Sequence, residues 1–415
     1  MDARVWDTDL AAGGRLMARL ALFAGFSDEP RRLTRLFLSD AHRRAAHAFI
    51  GWCGEVGLRA KIDAAGNVVA RYEGKRAGAP ALMLGSHIDT VRDAGSYDGN
   101  YGALAALAVV EQLSARDERL DHAVEIAAFG DEEGVRFRTT LTGSRALAGN
   151  YPQDVLDQKD AQGVLMRDAL RAFGGDPERA SSIRRPDVAA FIEAHIEQGP
   201  ILEAEGLPLG IVTAIAGATR LEVGVDGVAG HAGATPMDLR RDAMTAAAEM
   251  VLAIEAHARH ELGSLVATVG RLQVWPGATN VIPGHVQLAV DIRAPDDARR
   301  NRAVTDITER IEDIAISRGV GVSVARAHDA NAFVCDPNII AGLANAVEAV
   351  GVPPRLLPSG AGHDTMAMGA LCPAGMLFVR CKDGVSHNPL ESISVEDCAI
   401  GLKALTCFVR DFRAS

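Results

Sequence analysis

Four short clusters in the 415-residue chain bring together side chains that bind cations and move protons. The first, Gly85-Ser86-His87-Ile88-Asp89 followed by Tyr97-Asp98-Gly99, closes an apolar run with an imidazole and two carboxylates. On an extended strand the two side chains of an HxD step point the same way, so Asp89 is placed to hold the second ring nitrogen of His87 and fix its tautomer. Asp98 has two oxygens and could bridge two ions. The second cluster, Asp131-Glu132-Glu133-Gly134, sets three acids directly after another apolar run, where their repulsion calls for a cation or a proton. A solvated acidic turn would explain the same residues. The third, Glu193-Ala194-His195-Ile196-Glu197-Gln198-Gly199, and the fourth, Val385-Ser386-His387-Asn388-Pro389, each add a histidine on or just after an apolar strand. One such histidine is usually a satisfied core residue; two of them beside two acidic strand ends point to a metal site.

The elements that must carry these clusters are legible from periodicity. Helix-period leucines, alanines and phenylalanines run from about residue 14 to 57. LRAKI and NVVARYEG, joined by DAAGN, read as a hairpin, and ALMLGSH and AVEIAAFG as buried strands separated by the helix YGALAALAVVEQL. In open α/β sheets chemistry gathers at the carboxyl ends of the strands, where both clusters fall. Between about residues 213 and 327 the order becomes strand, helix (from about Met237 to His260), strand, strand, helix (from about Ala298 to Ser317), strand. This βαββαβ order predicts a ferredoxin-like inserted domain, because PRLLPS, MLFVR and a helix after Ser394 resume the first texture. The expected domains are 1–212 with 328–415, and 213–327.

Composition narrows the partners. With 48% hydrophobic residues the chain can fill large cores, and a net charge of −11 argues against a nucleic-acid surface or a basic membrane patch. The six cysteines show no CxxC and no disulfide framework, so they read as reduced thiols. The start MDARVWDTDLAAGG lacks the basic-then-apolar pattern of a secretion signal, and no run of 18 apolar residues follows; a cytoplasmic protein with a small-molecule substrate is expected.

The ordered series GSHIDT, YDG, DEEGVRF, LTGSRALAG, AHIEQGPILE, GHAGATPM, ATNVIPG, DIRAP, SGAGHD and SHNPLES resembles the hydantoinase/carbamoylase amidase branch of the M20 metallohydrolases, from about residue 30 to the C-terminus. The resemblance implies an α/β, mixed-sheet, aminopeptidase-like catalytic domain for two metals, with the inserted ferredoxin-like domain serving as dimerisation and lid domain. It implies that His87 and His195 hold one metal, Glu133 and His387 the other, and that Asp98 bridges them, with Asp89 behind His87 and Glu132 as general base. His195 points away from the M20 peptidases, which usually carry a carboxylate at that ligand position. The resemblance also makes His231, Asn280 and Arg293 substrate contacts that reach the other subunit of a homodimer, His231 suiting an oxyanion and Arg293 a carboxylate. On its own Arg293 reads as a surface salt bridge. Gln198 is expected on the ureido or carboxylate group, and His363 and Asp364 along the pocket, although Gly360 and Gly362 could mark only a tight turn.

The implied cofactor is two divalent ions per chain. Zinc is the default for imidazole and carboxylate donors, and manganese, cobalt or nickel suit the same set. The implied activity is hydrolysis of the carbon–nitrogen bond of a ureido (N-carbamoyl) group, on allantoate or an N-carbamoyl-L-amino acid. Two rivals are an M20 aminopeptidase or dipeptidase and a non-catalytic, metal-binding interaction protein. The sequence departs from the common pattern at Arg380-Cys381-Lys382 and at Arg92-Asp93, both near ligand loops.

Overall fold

The computed structural model describes residues 9–261, 263 and 265–414. The first eight residues of the start segment, and Ser264 at the head of an expected strand, lie outside the described residues. The chain forms two compact units, one of residues up to 213 with 335–357 and 362 onward, the other of residues 214–334 with 358–361.

The sheet of the first unit runs, from one edge, Ala60–Ile62, Val68–Tyr72, Ala123–Phe129, Ala81–His87, Val188–Ile196, Ala374–Val379 and Leu209–Ile215. Its four central strands are parallel, and antiparallel neighbours flank them on both sides. Helices can cover both faces of such a sheet, which is why Ala81–His87, Ala123–Phe129 and Ala374–Val379 read as unbroken apolar runs and are buried at every position. Parallel pairing also brings their carboxyl ends to one edge. His87 pairs with Phe129, two residues before Asp131, and Phe378 pairs with His195.

Helix Asn100–Ala115 packs close to this sheet because Gly102 lacks a side chain: a Cβ there would overlap the carbonyl of Ala194 and lie 2.8 Å from the Cβ of Ser86. Gly102→Ala is therefore expected to destabilise the protein by about 1–3 kcal/mol through overpacking, read as a lower thermal midpoint. An unchanged midpoint would show that the helix has room to move away.

The second unit has four antiparallel strands in the order Gly321–Ala330, Gly217–Asp226, His285–Ala294, Val266–Trp275. Burial alternates along the two central strands, so one face carries Leu221, Val223, Val225, Leu288, Val290 and Ile292 into a core with Met250, Ile254, Ile307 and Ile311 of two helices. Those helices are Ala243–His260 and Asp297–Arg318. The first begins six residues later than its periodicity suggested. Pro236 is followed by a short turn at Met237–Leu239, and the carboxylate of Asp242 then caps the N–H groups of Met244 and Thr245, setting the true start. The unit runs past residue 327 because its last long strand extends to Ala330.

Candidate metal centre

Asp98 is the hub of the site. Its Oδ1 lies 3.5 Å from His87 Nε2 and 3.2 Å from His195 Nε2, and its Oδ2 lies 3.0 Å from His387 Nε2, which is also 3.5 Å from Glu133 Oε1. Donor atoms of His87, Asp98 and His195 lie within 4.8 Å of one another, as do those of Asp98, Glu133 and His387. Two triads thus share one carboxylate, each oxygen facing a different set of imidazoles. That is the division of a bridging ligand.

The tautomers follow from the backbone. His87 Nδ1 is 2.9 Å from the carbonyl oxygen of Asp89, and His195 Nδ1 is 2.9 Å from that of Ile196. A carbonyl only accepts, so each Nδ1 carries the proton and each Nε2 keeps its lone pair for a cation. At His195 the backbone N–H of Gly99 donates to Nε2 at 3.1 Å, in agreement with that assignment. Asp89 therefore fixes His87 through its main chain, and its carboxylate, 3.9 Å away at Oδ1, does not do so as the HxD spacing suggested. The carboxylate instead accepts the N–H groups of Glu132 at 3.2 Å and Glu133 at 3.3 Å, which holds the acidic turn in place.

The site is rich in buried acid. Asp89, Asp98 and Asp131 are each at most 4% exposed, and Glu193 and Asp364 are fully buried. Burial works against the charge on Asp98, yet the imidazoles of His195, His387 and His87 beside it hold its carboxyl well below the usual range. For Glu132, burial pushes the carboxyl well up, His87 opposes, and Glu133, Asp364 and Asp89 add to the rise. Burial, then Asp98, raises Glu133 to about 7. Burial would lower His87, but Asp98, Glu132 and Asp89 more than reverse it. Carboxyls and imidazoles held above their normal values in one pocket are groups that retain protons where cations would otherwise balance the charge. The residues present thus fit a two-cation group in both geometry and charge.

Glu132 belongs to neither Asp98 triad, although it groups with His87 and Glu133. The glycine-rich loop approaches it: a Cβ at Gly362 would lie 3.8 Å from Glu132 Oε1. Glu132 thus lies beside the two triads but outside the carboxylate that joins them.

Several supporting contacts join residues far apart in the sequence. Glu391 Oε1 accepts the N–H groups of Tyr97 at 2.7 Å and Asp98 at 3.1 Å, and its Oε2 accepts the hydroxyl of Ser386 at 2.9 Å. It ties the Asp98 turn to the His387 loop. Its only trace in the sequence was the SHNPLES string. Glu391→Gln is expected to weaken metal binding about 10–100-fold without unfolding the chain, measured by competition with a chromogenic chelator; unchanged affinity would contradict this role. Glu193 accepts from Ser86 Oγ at 2.7 Å and from both N–H and hydroxyl of Thr365 at 2.9 and 2.7 Å, tying two strands and the short helix Asp364–Met368 together near His195. Gln198 donates to Asp98 Oδ2 and is 3.0 Å from it, so in this conformation its amide serves the bridging carboxylate. Both Gln198 (φ 56°) and His387 (φ 54°) take left-handed backbone conformations that cost non-glycine residues energy, a strain found where side-chain aim matters.

His363 is buried edge-on against the rings of His195 and Phe378, and burial followed by His195 keeps it neutral. Asp364 is pushed well up by burial and Glu193. Arg380 forms a paired hydrogen bond with Asp397 at 3.1 and 2.7 Å, anchoring the helix Val395–Asp411. In the second unit, His231 pairs with Val281, beside Asn280, whose carbonyl accepts the N–H of Ala232; both side chains are exposed. Arg293 donates to Asp291 at 2.7 Å and to the Gly360 carbonyl at 2.8 Å. Here it makes the salt bridge that it suggests when read alone.

Two triads joined through one carboxylate, at the ends of parallel strands and with a further glutamate alongside, define the class of metal-dependent hydrolase centres. Residues 83–411 match the Peptidase family M20/M25/M40. The chain is 41% identical to an N-carbamoyl-L-amino acid amidohydrolase of Geobacillus stearothermophilus, over 95% of this chain and 97% of that protein. It is 42% identical to a probable allantoate deiminase of Oryza sativa subsp. japonica, over 94% of this chain and 87% of that one. A solved hydantoinase/carbamoylase family amidase from Burkholderia multivorans superposes with a TM-score of 0.91 at 33% identity, covering 96% of this chain and 97% of that chain. The chain belongs to the M20 family, in its hydantoinase/carbamoylase amidase branch. Among the described residues no helix is long and apolar enough to cross a membrane.

Proposed function

We propose that this enzyme hydrolyses the carbon–nitrogen bond of a ureido group on a small carboxylic acid, releasing ammonia and carbon dioxide. The carrying observation is the pair of triads sharing Asp98, with His195 among the ligands and Glu132 left outside the bridge. Two divalent ions, zinc by default or manganese, cobalt or nickel on the same donors, would supply Lewis acidity and lower the pKa of a shared water. His87, His195 and Asp98 would hold one, and Glu133, His387 and Asp98 the other.

Glu132 takes the proton from the attacking water and returns it to the leaving nitrogen, so its carboxyl ends the cycle as it began, and the carbamate that remains breaks down without further catalysis to carbon dioxide and the second amine. Asp89 keeps Glu132 in line through its grip on the backbone of the acidic turn. His231 donates to the developing oxyanion. Asn280 and Arg293 orient the substrate acid, Arg293 by exchanging its Asp291 partner for the substrate carboxylate. Gln198 and His363 complete the pocket around the ureido group. The second unit, read as a ferredoxin-like insertion, acts as a lid and joins two chains into a homodimer in the cytoplasm.

Allantoate is favoured over an N-carbamoyl-L-amino acid, on the ending CKDGVSHNPLES. Ammonia release from allantoate, N-carbamoyl-L-amino acids, ureidoglycolate and N-carbamoyl-β-alanine tests the reading. Turnover of allantoate above the others is expected; dipeptide cleavage with no ammonia from any ureido acid would overturn it in favour of a peptidase.

A further inference from the structure

The first unit holds a second concavity that shares no residue with the metal centre. It is a cleft of about 420 Å³, of the size that takes a small metabolite. Its rim carries Lys61, Arg179 and Arg184, all exposed and none with an ion pair or side-chain hydrogen bond among the described residues. Arg185, in the same wall, is held by Glu125 and Asp187 and contributes no free charge. Two carboxyls also line the cleft: Asp63 turns onto the N–H groups of Ala65 and Asn67, and Asp176 accepts the N–H of Glu178.

Three unpaired cations gathered in one hollow run against a net charge of −11, and a concave wall concentrates their field. The methylene stem of Arg184 lies over Gly149. Below the cations, Ile62, Leu147 and Ile183 form an apolar floor. Guanidinium groups match the paired oxygens of a phosphoryl group, and the floor suits a carbon frame.

We propose that this cleft binds a small organic phosphate, with its phosphoryl oxygens on Lys61, Arg179 and Arg184 and its organic part on the apolar floor. Because the cations are exposed, binding weakens as salt rises. The test is calorimetry of the intact, metal-loaded protein with adenosine 5′-monophosphate, glucose 6-phosphate, inorganic phosphate and succinate as probes. At least one organic phosphate is expected to bind saturably, one per chain, and about tenfold or more weaker in an Arg179→Ala/Arg184→Ala double variant. Metal content and turnover of that variant stay unchanged, since exposed arginines remote from the core are tolerated. Three outcomes would each overturn the proposal. They are no saturable binding of any phosphate, equal affinity in the double variant (which would put the phosphate at the metal centre), and succinate or inorganic phosphate binding as tightly as the organic phosphates.

Discussion

Replacing Glu132 by glutamine is expected to lower kcat by about 10²–10⁴-fold, the range that a positioned general base contributes, while both ions remain bound. Asp98 joins the His87/His195 triad to the Glu133/His387 triad, and Glu132 stands outside that bridge. The substitution keeps the shape of the side chain and leaves its backbone N–H on Asp89, so the turn that carries Glu133 keeps its anchor. What disappears is the capacity to take and return a proton. A variant with wild-type kcat would remove Glu132 from the reaction, and one that lost its metals would instead make it a ligand.

The second large effect is expected at the shared carboxylate. Asp98→Asn removes the only negative charge common to both triads and turns one of its oxygens into an N–H₂ group, which cannot accept a cation. Whichever way the amide turns, that group faces either the imidazoles of His87 and His195 or that of His387, because the two oxygens are divided between them. Metal content measured by plasma mass spectrometry should fall from two ions to one or fewer per chain, and turnover by at least about a thousandfold, since a metal ion supplies several kcal/mol of transition-state stabilisation. Circular dichroism of the variant should still show the folded chain. Two tightly held ions in this variant would contradict the bridging role.

The residues that the sequence made visible are those whose signal is local. His87, Asp131-Glu132-Glu133 and His195 each close or follow a short apolar run, and a buried parallel strand announces itself by such a run because both its faces are covered. The supporting contacts were not visible, because they join residues far apart in the chain. Glu391 meets Asp98 across 293 positions and Gln198 meets it across 100, and no periodicity encodes either pairing. Asp89 shows a subtler limit. Strand alternation places its side chain on the same side as that of His87, but it does not say that the carbonyl takes the ring nitrogen while the carboxylate turns to the next strand end. Likewise Met237 continues the apolar period of the helix behind it, yet Pro236 and the Asp242 cap set where that helix begins. Local capping chemistry overrode periodicity there.

The proposed centre needs two ions to work, and a metal titration tests this most directly. Protein stripped with chelator and dialysed should be inactive, and ammonia release from the preferred ureido acid should rise with added zinc or manganese until two equivalents per chain are bound, then level off. Full activity in the stripped protein would contradict the account, as would saturation at a single equivalent.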